Sequence, residues 1–239
     1  MEHIISRELV SLRKEIKYIV PLEKATIIKS QLNNLLPRDD YCSDGAYSVR
    51  SLYFESINNI DFSEKLAGID IRKKIRARIY NSDPSICKLE MKQKHDSWQQ
   101  KHSFIVSEKD VRNLSLGNYS VLKGYFDSVE TSKKIYGIMI QGRYKPVVQI
   151  EYDRFAYKYP MYDTRITLDM NIRSSETNMD IFASKIHYIP IMRENAVLEI
   201  KYSGKIMGFI SAMLARFDLT QDSYSKYCLG RKIYYDFNY

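Results

Sequence analysis

Alternation of charged and apolar residues, repeated in several separate segments, is the feature that most constrains this chain. The segments KIRARIY, KLEMK and LEIK each carry charged residues at every second position with apolar residues between them. Because successive side chains of a β-strand point to opposite faces, each segment predicts a strand with one charged and one apolar face. The residues that share the charged faces are Arg13, Glu15 and Lys17; Lys74, Arg76 and Arg78; Lys88, Glu90, Lys92 and Lys94; Arg154; Arg165 and Asp169; Glu199 and Lys201.

Strand-like segments dominate the chain, and helices lie between them. Segments rich in β-branched and aromatic residues with a period of two predict strands at Arg13–Val20, Tyr47–Glu55, Ile71–Tyr80, Ile86–His95, Lys101–Val106, Pro146–Tyr157, Thr164–Ile172 and Ala196–Tyr202. Helices are predicted at Pro21–Leu36, Ser107–Leu114, Val129–Ile140, Gly208–Phe217 and Ser223–Gly230.

The number and spacing of these strands indicate the architecture. They are too many for a small sheet and too irregularly spaced for βαβ units. We therefore predict an α+β protein built on a closed or nearly closed antiparallel barrel of about eight strands. Helices would pack on its outside. Since no linker, low-complexity tract or repeat interrupts the sequence, we expect a single domain over residues 1–239.

The charged faces have two possible locations. For any single strand, a solvated face on a half-buried sheet is the commoner explanation. The pattern recurs on at least five strands, however, and helices are available to cover the apolar faces, which favours charges inside the barrel. About a dozen inward charges would repel one another unless a polyanion and a metal occupied the space. With about three bases per acid, the set suits a phosphate chain and leaves a few carboxylates for a hard cation such as Mg²⁺ or Mn²⁺.

The overall composition agrees with an anionic partner but does not choose one. Lys and Arg outnumber Asp and Glu by 37 to 29, which fits nucleic acid, a phosphorylated metabolite or an anionic lipid. No segment approaches the ~18 consecutive apolar residues of a membrane-spanning helix. Three cysteines lie far apart without the spacing of a metal site, so we expect free thiols and a cytoplasmic location.

Taken in chain order, a set of motifs resembles a known family. RKEIKYIV, VRSLYFES, KIRARIY, KLEMKQK, EYDRFAY, TRITLDMNI, AVLEIKYSG and SYSKYCLGR follow the order of the VTC domain, the polyphosphate polymerase domain of the triphosphate tunnel metalloenzyme or CYTH-like superfamily. The resemblance runs from about Arg13 to Arg231. It implies an eight-stranded antiparallel tunnel that transfers the γ-phosphate of ATP to a growing polyphosphate chain with Mn²⁺ or Mg²⁺.

The resemblance also implies roles for individual residues. Those expected to act on the phosphates are Lys17, Arg76, Arg78, Lys92, Arg154, Arg165, Lys201 and Lys226. Further substrate contacts are expected from Arg13, Lys94, Lys101 and Ser225. Glu199 corresponds to the metal-binding glutamate, and Glu90 and Glu15 are additional candidates. Ser225 and Lys226 belong to the SKY motif near the C-terminus, where the family closes one end of the tunnel.

Several functions remain open from the sequence. Phosphoryl transfer needs mainly positioning and charge neutralisation, which the predicted bases supply. A metal-dependent inorganic or nucleoside triphosphatase would in addition orient a water molecule, for which Glu15 or Glu90 is available. A non-catalytic polyphosphate-binding module would need only the bases. A nucleic-acid binder would carry its bases on an outer face and is the least favoured of the four.

Overall fold

The computed structural model describes residues 8–42, 45–95 and 98–235. Its strands are β1 (Leu9–Pro21), β2 (Tyr47–Glu55), β3 (Arg72–Tyr80), β4 (Asp83–His95), β5 (Trp98–Val106), β6 (Lys145–Tyr159), β7 (Thr164–Ser175), β8 (Ile189–Pro190) and β9 (Asn195–Tyr202). Its α-helices are α1 (Leu22–Leu35), α2 (Ile60–Leu66), α3 (Glu108–Ser115), α4 (Glu130–Gly142), α5 (Gly208–Ala215) and α6 (Lys226–Tyr235). Short 3-10 segments occur at Asp40–Cys42, Tyr119–Tyr125 and Met161–Asp163.

Eight of the strands form a closed barrel. Its strand order is β6-β2-β3-β4-β5-β1-β9-β7, and a further pairing between β6 and β7 completes the circle. All of these pairings are antiparallel, and the two-residue strand β8 adds to one end of β7. The predicted fold, an α+β protein with a closed eight-stranded antiparallel barrel, is confirmed.

The long strand β1 is paired differently along its two halves. Residues 9–13 pair with β5, whereas residues 14–21 pair with β9. The prediction began this strand at Arg13 and therefore missed the half that pairs with β5. Leu9, Val10 and Leu12 are more than half exposed, so this half lacks the buried apolar stripe that revealed the other half.

Helices cover the apolar outer faces of the strands. Ile75, Ala77 and Ile79 of β3 are fully buried in a cluster that includes residues of α3 and α4. A second cluster packs Ile28 and Leu32 of α1 against the outer faces of β1, β7 and β9. Burying such an aliphatic side chain contributes roughly 1.5–3 kcal/mol. The apolar alternation of the strands therefore turns the opposite, charged faces toward the barrel interior.

Helix α2 was not predicted, because its start is capped from a distance. Asn59, the residue before it, has a left-handed backbone with φ 53° and makes no side-chain cap. Instead the buried carboxylate of Glu55, at the end of β2, accepts hydrogen bonds from the backbone N–H groups of Asp61 and Phe62 at 3.1 and 2.9 Å. Asparagine is a residue type that often caps helices, but the side chain of Asn59 makes no capping bond here, and the short helix was missed.

Three further observations bear on the predictions. The C-terminal helix begins at Lys226, three residues after the predicted start. Cys42, Cys87 and Cys228 are buried and free, as expected. Over the part of the chain that the structure describes, no helix combines the length and apolar character needed to span a membrane.

Candidate functional site

Two adjoining cavities occupy the barrel interior. The first, of ≈ 480 Å³, lies against the start of α6 and is called here the α6 cavity. The second, of ≈ 600 Å³, is lined by Tyr47, Tyr80 and Arg165 and is called here the distal cavity. They meet at residues that line both: Glu15, Arg76, Arg78, Lys92, Gln99, Arg154 and Lys201.

Basic side chains greatly exceed acidic ones in both cavities. The α6 cavity is lined by twelve Lys and Arg residues and three Asp and Glu residues. The distal cavity is lined by ten Lys and Arg residues and four Asp and Glu residues. Over the whole sequence the ratio is only 37 to 29. The positive charge of the protein is therefore concentrated in its interior.

The predicted phosphate-handling residues all line this interior. Lys17 and Lys226 line the α6 cavity, Arg165 lines the distal cavity, and the others line both cavities: Arg76, Arg78, Lys92, Arg154 and Lys201. Of the additional predicted contacts, Lys94 and Ser225 line the α6 cavity, and Arg13 and Lys101 line the distal cavity. These residues come from β1, β3, β4, β5, β6, β7, β9 and α6, and barrel closure brings them together.

The three candidate metal ligands occupy different positions. Glu199 lines the α6 cavity, and Glu15 lines both cavities. Glu90 lines neither, and its side chain is completely buried. The register of β3 and β4 places it directly opposite Arg76, which covers it.

Glu15 and Glu199 belong to a cluster of alternating charges. The register of β1 and β9 pairs Lys17 with Glu199 and Glu15 with Lys201. Lys17 Nζ lies 2.8 Å from Glu15 and 3.8 Å from Glu199. Lys201 Nζ lies 2.9 Å from Glu199 and 3.8 Å from Glu15. With Lys92 3.1 Å from Glu15 and Lys226 3.1 Å from Glu199, each carboxylate is shared by three ammonium groups.

These surroundings keep both carboxylates ionised. Burial raises the pKa of Glu15, but Lys17, Lys92 and Lys201 outweigh it and hold that pKa well below its usual range. Burial likewise opposes ionisation of Glu199, yet its neighbours, Lys201 and Lys226 foremost, hold its pKa well below the usual value. The interior therefore offers two carboxylates that are charged at neutral pH.

Some interior lysines are instead driven toward the neutral form, whereas at Lys17 and Lys226 the nearby carboxylates outweigh burial and raise the pKa. Burial lowers the pKa of Lys92 to about 7 although Glu15 lies 3.1 Å away, because Lys17 and Lys201 add to the burial effect. Burial also lowers the pKa of Lys74 to about 8, with Lys17 and Lys65 contributing. The interior thus holds more basic groups than its own carboxylates can keep charged.

Aromatic side chains form part of the same walls, and the sequence did not single them out as site residues. Tyr53 stacks on Tyr227 with ring centroids 5.1 Å apart, and its hydroxyl accepts a hydrogen bond from Arg76 at 2.9 Å. The side chains of Arg154 and Lys226 lie over the ring of Tyr152, at 5.1 and 5.0 Å. The inner face of β2 carries few charges, so only its register with β3, which pairs Tyr53 with Arg76, could have revealed this contribution.

The segment before α6 lies across one end of the α6 cavity. The backbone N–H of Asp222 donates to the carbonyl of Lys17 at 2.9 Å, and Lys17 Nζ donates to the carbonyl of Tyr224 at 3.3 Å. Lys74 Nζ donates to Ser225 Oγ at 2.7 Å. The SKY motif is therefore held in place by two of the interior lysines.

A closed antiparallel barrel of eight strands with a charged interior and helices outside defines the triphosphate tunnel fold. Within that class, the chain belongs to the VTC domain family, whose sequence model matches residues 12–235. No curated protein matches the sequence.

Solved structures of the same fold come from distant relatives. One is a Hippeastrum protein studied as an adenylyl cyclase and found to have a dominant triphosphatase activity. It matches with a TM-score of 0.57 and 12% identity, and the alignment covers 92% of this chain and 95% of that one. Another is a Bacillus halodurans protein assigned as an adenylate cyclase, with a TM-score of 0.56, 16% identity and coverage of 90% and 95%. At these identities the likeness establishes the fold alone.

Proposed function

We propose that this protein transfers the γ-phosphate of ATP to the end of a growing polyphosphate chain inside its barrel, with the help of a divalent metal. One observation carries the proposal. The basic side chains of many strands converge on an enclosed interior in which they outnumber carboxylates twelve to three in one cavity and ten to four in the other.

A phosphate chain is the ligand that this arrangement fits. Unmatched cations in a confined space repel one another, and a polyanion would remove that repulsion. Guanidinium groups make forked, charge-assisted contacts to phosphate oxygens, and ammonium groups act as point charges. Arg76, Arg78 and Arg154 supply the first kind of contact at the junction of the two cavities, and Lys92 and Lys201 supply the second.

A divalent metal fits the carboxylates that line the interior. The described part of the chain contains no group of three or more His, Cys, Asp or Glu side chains that could hold a metal ion by itself. Mg²⁺, however, is commonly held by one or two carboxylates together with substrate phosphates. Glu199 and Glu15 would supply those carboxylates, and Mn²⁺ or Mg²⁺ would neutralise charge on the phosphate oxygens.

The transfer needs little more than positioning. A terminal oxygen of the acceptor chain attacks the γ-phosphorus, the bond from that phosphorus to the β–γ bridging oxygen breaks, and ADP leaves with the bonding electron pair. The attacking oxygen is already anionic, so no general base is required. The arginines at the junction hold the donor and acceptor phosphates in line and offset the charge that spreads over the transferred group.

The two cavities suggest which way the substrate lies. The α6 cavity adds Lys65, Arg72, Lys74 and Lys94, which would continue the contacts along a phosphate chain. The distal cavity instead carries the aromatic rings of Tyr41, Tyr47, Tyr80 and Tyr159, on which a nucleobase can stack. We therefore place the polyphosphate in the α6 cavity and the nucleoside in the distal cavity.

A triphosphatase is the second candidate. Glu15 lines both cavities and could orient a water molecule for attack, whereas Glu90 is covered by Arg76. The triphosphatase activity named for the Hippeastrum protein of the same fold supports this alternative.

Incubation of the purified protein with ATP and Mn²⁺, followed by gel electrophoresis of the products, tests the proposal. Long phosphate chains are expected, and they should disappear in Arg76→Ala and Arg165→Ala. Arg112→Ala is the matched control, because Arg112 is about half exposed on α3 and pairs with Glu108 outside the barrel. Free phosphate without chains would reject polymerisation in favour of hydrolysis, and tight polyphosphate binding without turnover would indicate a binding module.

A further inference from the structure

We infer that Glu90 and Asp169 are positioning residues, which orient the arginines that contact phosphate. This inference rests on the proposed function, because it concerns how the same interior handles a phosphate chain. It also separates two kinds of carboxylate in the barrel. Glu15 and Glu199 line the cavities, whereas Glu90 and Asp169 line neither and have no exposed surface.

Glu90 anchors Arg76, which lies at the junction between the cavities. Its Oε2 atom accepts from Nε of Arg76 at 2.7 Å and lies 2.6 Å from Nη2 of the same guanidinium. Its Oε1 atom accepts from Lys101 Nζ at 3.4 Å. Tyr53 accepts from the remaining Nη1 of Arg76, so the guanidinium is held along three directions.

Asp169 anchors Arg154 with both of its carboxylate oxygens. The register of β6 and β7 places it directly opposite Arg154. Its Oδ1 accepts from Nε of Arg154 at 2.7 Å, and its Oδ2 accepts from Nη2 at 2.8 Å, which is a two-point fork. Lys226 Nζ lies 2.7 Å from the same carboxylate and 3.1 Å from Glu199, so Asp169 also fixes the first residue of α6.

The two anchors act on residues that line both cavities. Arg76 and Arg154 each line the α6 cavity and the distal cavity. A carboxylate that contacts both Nε and Nη2, as Glu90 does through one oxygen and Asp169 through two, fixes the plane of the guanidinium and the direction of its remaining N–H groups. Without the anchor, the arginine keeps its charge but loses its direction. Long-range attraction for phosphate would remain, while the in-line arrangement of donor and acceptor would be lost.

Replacing each anchor by its uncharged isostere separates these effects. In Glu90→Gln and Asp169→Asn we expect kcat to fall roughly 10- to 100-fold, since small misplacements of positioning groups have effects of that order. KM for ATP should stay the same or fall, because one negative charge has been removed from a cationic interior. Asp169→Glu, which restores a carboxylate, should recover part of the loss.

Metal binding distinguishes anchors from metal ligands. Titration of Mn²⁺ by electron paramagnetic resonance, with tripolyphosphate present, should give wild-type affinity in Glu90→Gln and Asp169→Asn. The same titration should show a large loss of affinity in Glu199→Gln. If the Asp169→Asn or Glu90→Gln variant loses Mn²⁺ as Glu199→Gln does, that residue is a metal ligand and the inference is wrong.

Glu151→Gln is the matched control for simple loss of a buried ion pair. Glu151 on β6 is also buried and holds two arginines, Arg50 and Arg173, but it lines neither cavity. The Glu151→Gln variant should be less stable than the wild type, but the folded enzyme should keep its kcat. If Asp169→Asn likewise lost stability without losing kcat, the inference would be wrong.

If the anchor variants do not fold, Arg154→Lys and Arg76→Lys test the same idea. These variants keep the positive charge and remove the fork, so kcat should fall while tripolyphosphate affinity is kept. Unchanged kcat in both would refute the role of arginine orientation. A wild-type protein that neither binds tripolyphosphate nor turns over ATP would instead overturn the proposed function, and the inference with it.

Discussion

Lys74 shows how a single basic residue is prepared for an anionic ligand. It lies 2.7 Å from Ser225 Oγ and 5.1 Å from the ring of Tyr227. Among the described residues, no carboxylate forms an ion pair with it. Burial, with Lys17 and Lys65 nearby, lowers the pKa of Lys74 to about 8. A phosphate placed beside it would favour the charged form and raise that pKa again.

Phosphate binding should therefore draw a proton onto Lys74. At pH 8 and without metal, we expect binding of tripolyphosphate to take up about half a proton more in the wild type than in Lys74→Met. Since the charged lysine is the binding form, the affinity advantage of the wild type should shrink as pH rises through about 8. Isothermal titration calorimetry in buffers of different ionisation enthalpy measures both quantities.

Tripolyphosphate also changes its own protonation on binding, but this contribution is the same in both proteins. The difference in proton uptake between the wild type and Lys74→Met therefore reports on Lys74. Lys133→Met is a suitable control, because Lys133 is about half exposed on α4 and pairs with Glu130. Equal proton uptake by wild type and Lys74→Met would show that Lys74 does not contact the phosphate.

At the scale of strands and helices, local alternation was enough to predict the inward faces. Charged and apolar residues alternate over Lys74–Ile79 of β3 and Leu198–Lys201 of β9, so the faces can be assigned there from the sequence alone. Pairing between strands could not be assigned in this way. The anchoring of Arg154 by Asp169 depends on the register of β6 and β7, and the contribution of Tyr53 depends on that of β2 and β3. Helix α2 escaped prediction because Glu55, which precedes the helix by five residues, satisfies its first N–H groups.

Helix α2 also carries a carboxylate with an unusual ionisation. Asp61 is buried next to Glu55, and it binds Lys73 at 2.9 Å and the hydroxyl of Tyr144 at 3.0 Å. Burial and then Glu55 raise the pKa of Asp61 to about 6, which outweighs the effect of Lys73. Because the folded protein favours the protonated form, this residue's contribution to stability is full below about pH 4 and is lost as pH rises through about 6.

Asp61→Asn should accordingly stabilise the protein at neutral pH. The amide keeps a hydrogen-bonding partner for Tyr144 and removes the buried charge, so we expect a gain of about 3 kcal/mol in the free energy of unfolding above pH 7. The difference between variant and wild type should narrow below pH 6 and vanish near pH 4. Urea unfolding across this range measures it. A variant that is less stable than the wild type at pH 7.5 would show that the ion pair with Lys73 dominates.

For the whole molecule, the barrel interior is both the binding site and a source of instability. Its outer faces are packed under helices in apolar clusters, while its inner faces hold cations in excess of carboxylates. Repulsion among those cations opposes the folded state, and only the folded state brings them together. A ligand that neutralises them will therefore bind the native protein and not the unfolded chain, so it must stabilise the fold.

Thermal unfolding with inorganic tripolyphosphate makes this coupling measurable. At a concentration 100 times Kd the ligand should add about 2.7 kcal/mol of stability, which for a protein of this size raises Tm by roughly 5–10 °C. Arg76→Ala should lose most of this increase, whereas Arg112→Ala should keep it. Because a guanidinium in the enclosed interior is less screened by salt than one on the surface, much of the increase should survive in 0.3 M NaCl. If single-stranded DNA gave an equal increase that did not depend on Arg76, the basic residues would be serving an outer surface and not the barrel interior.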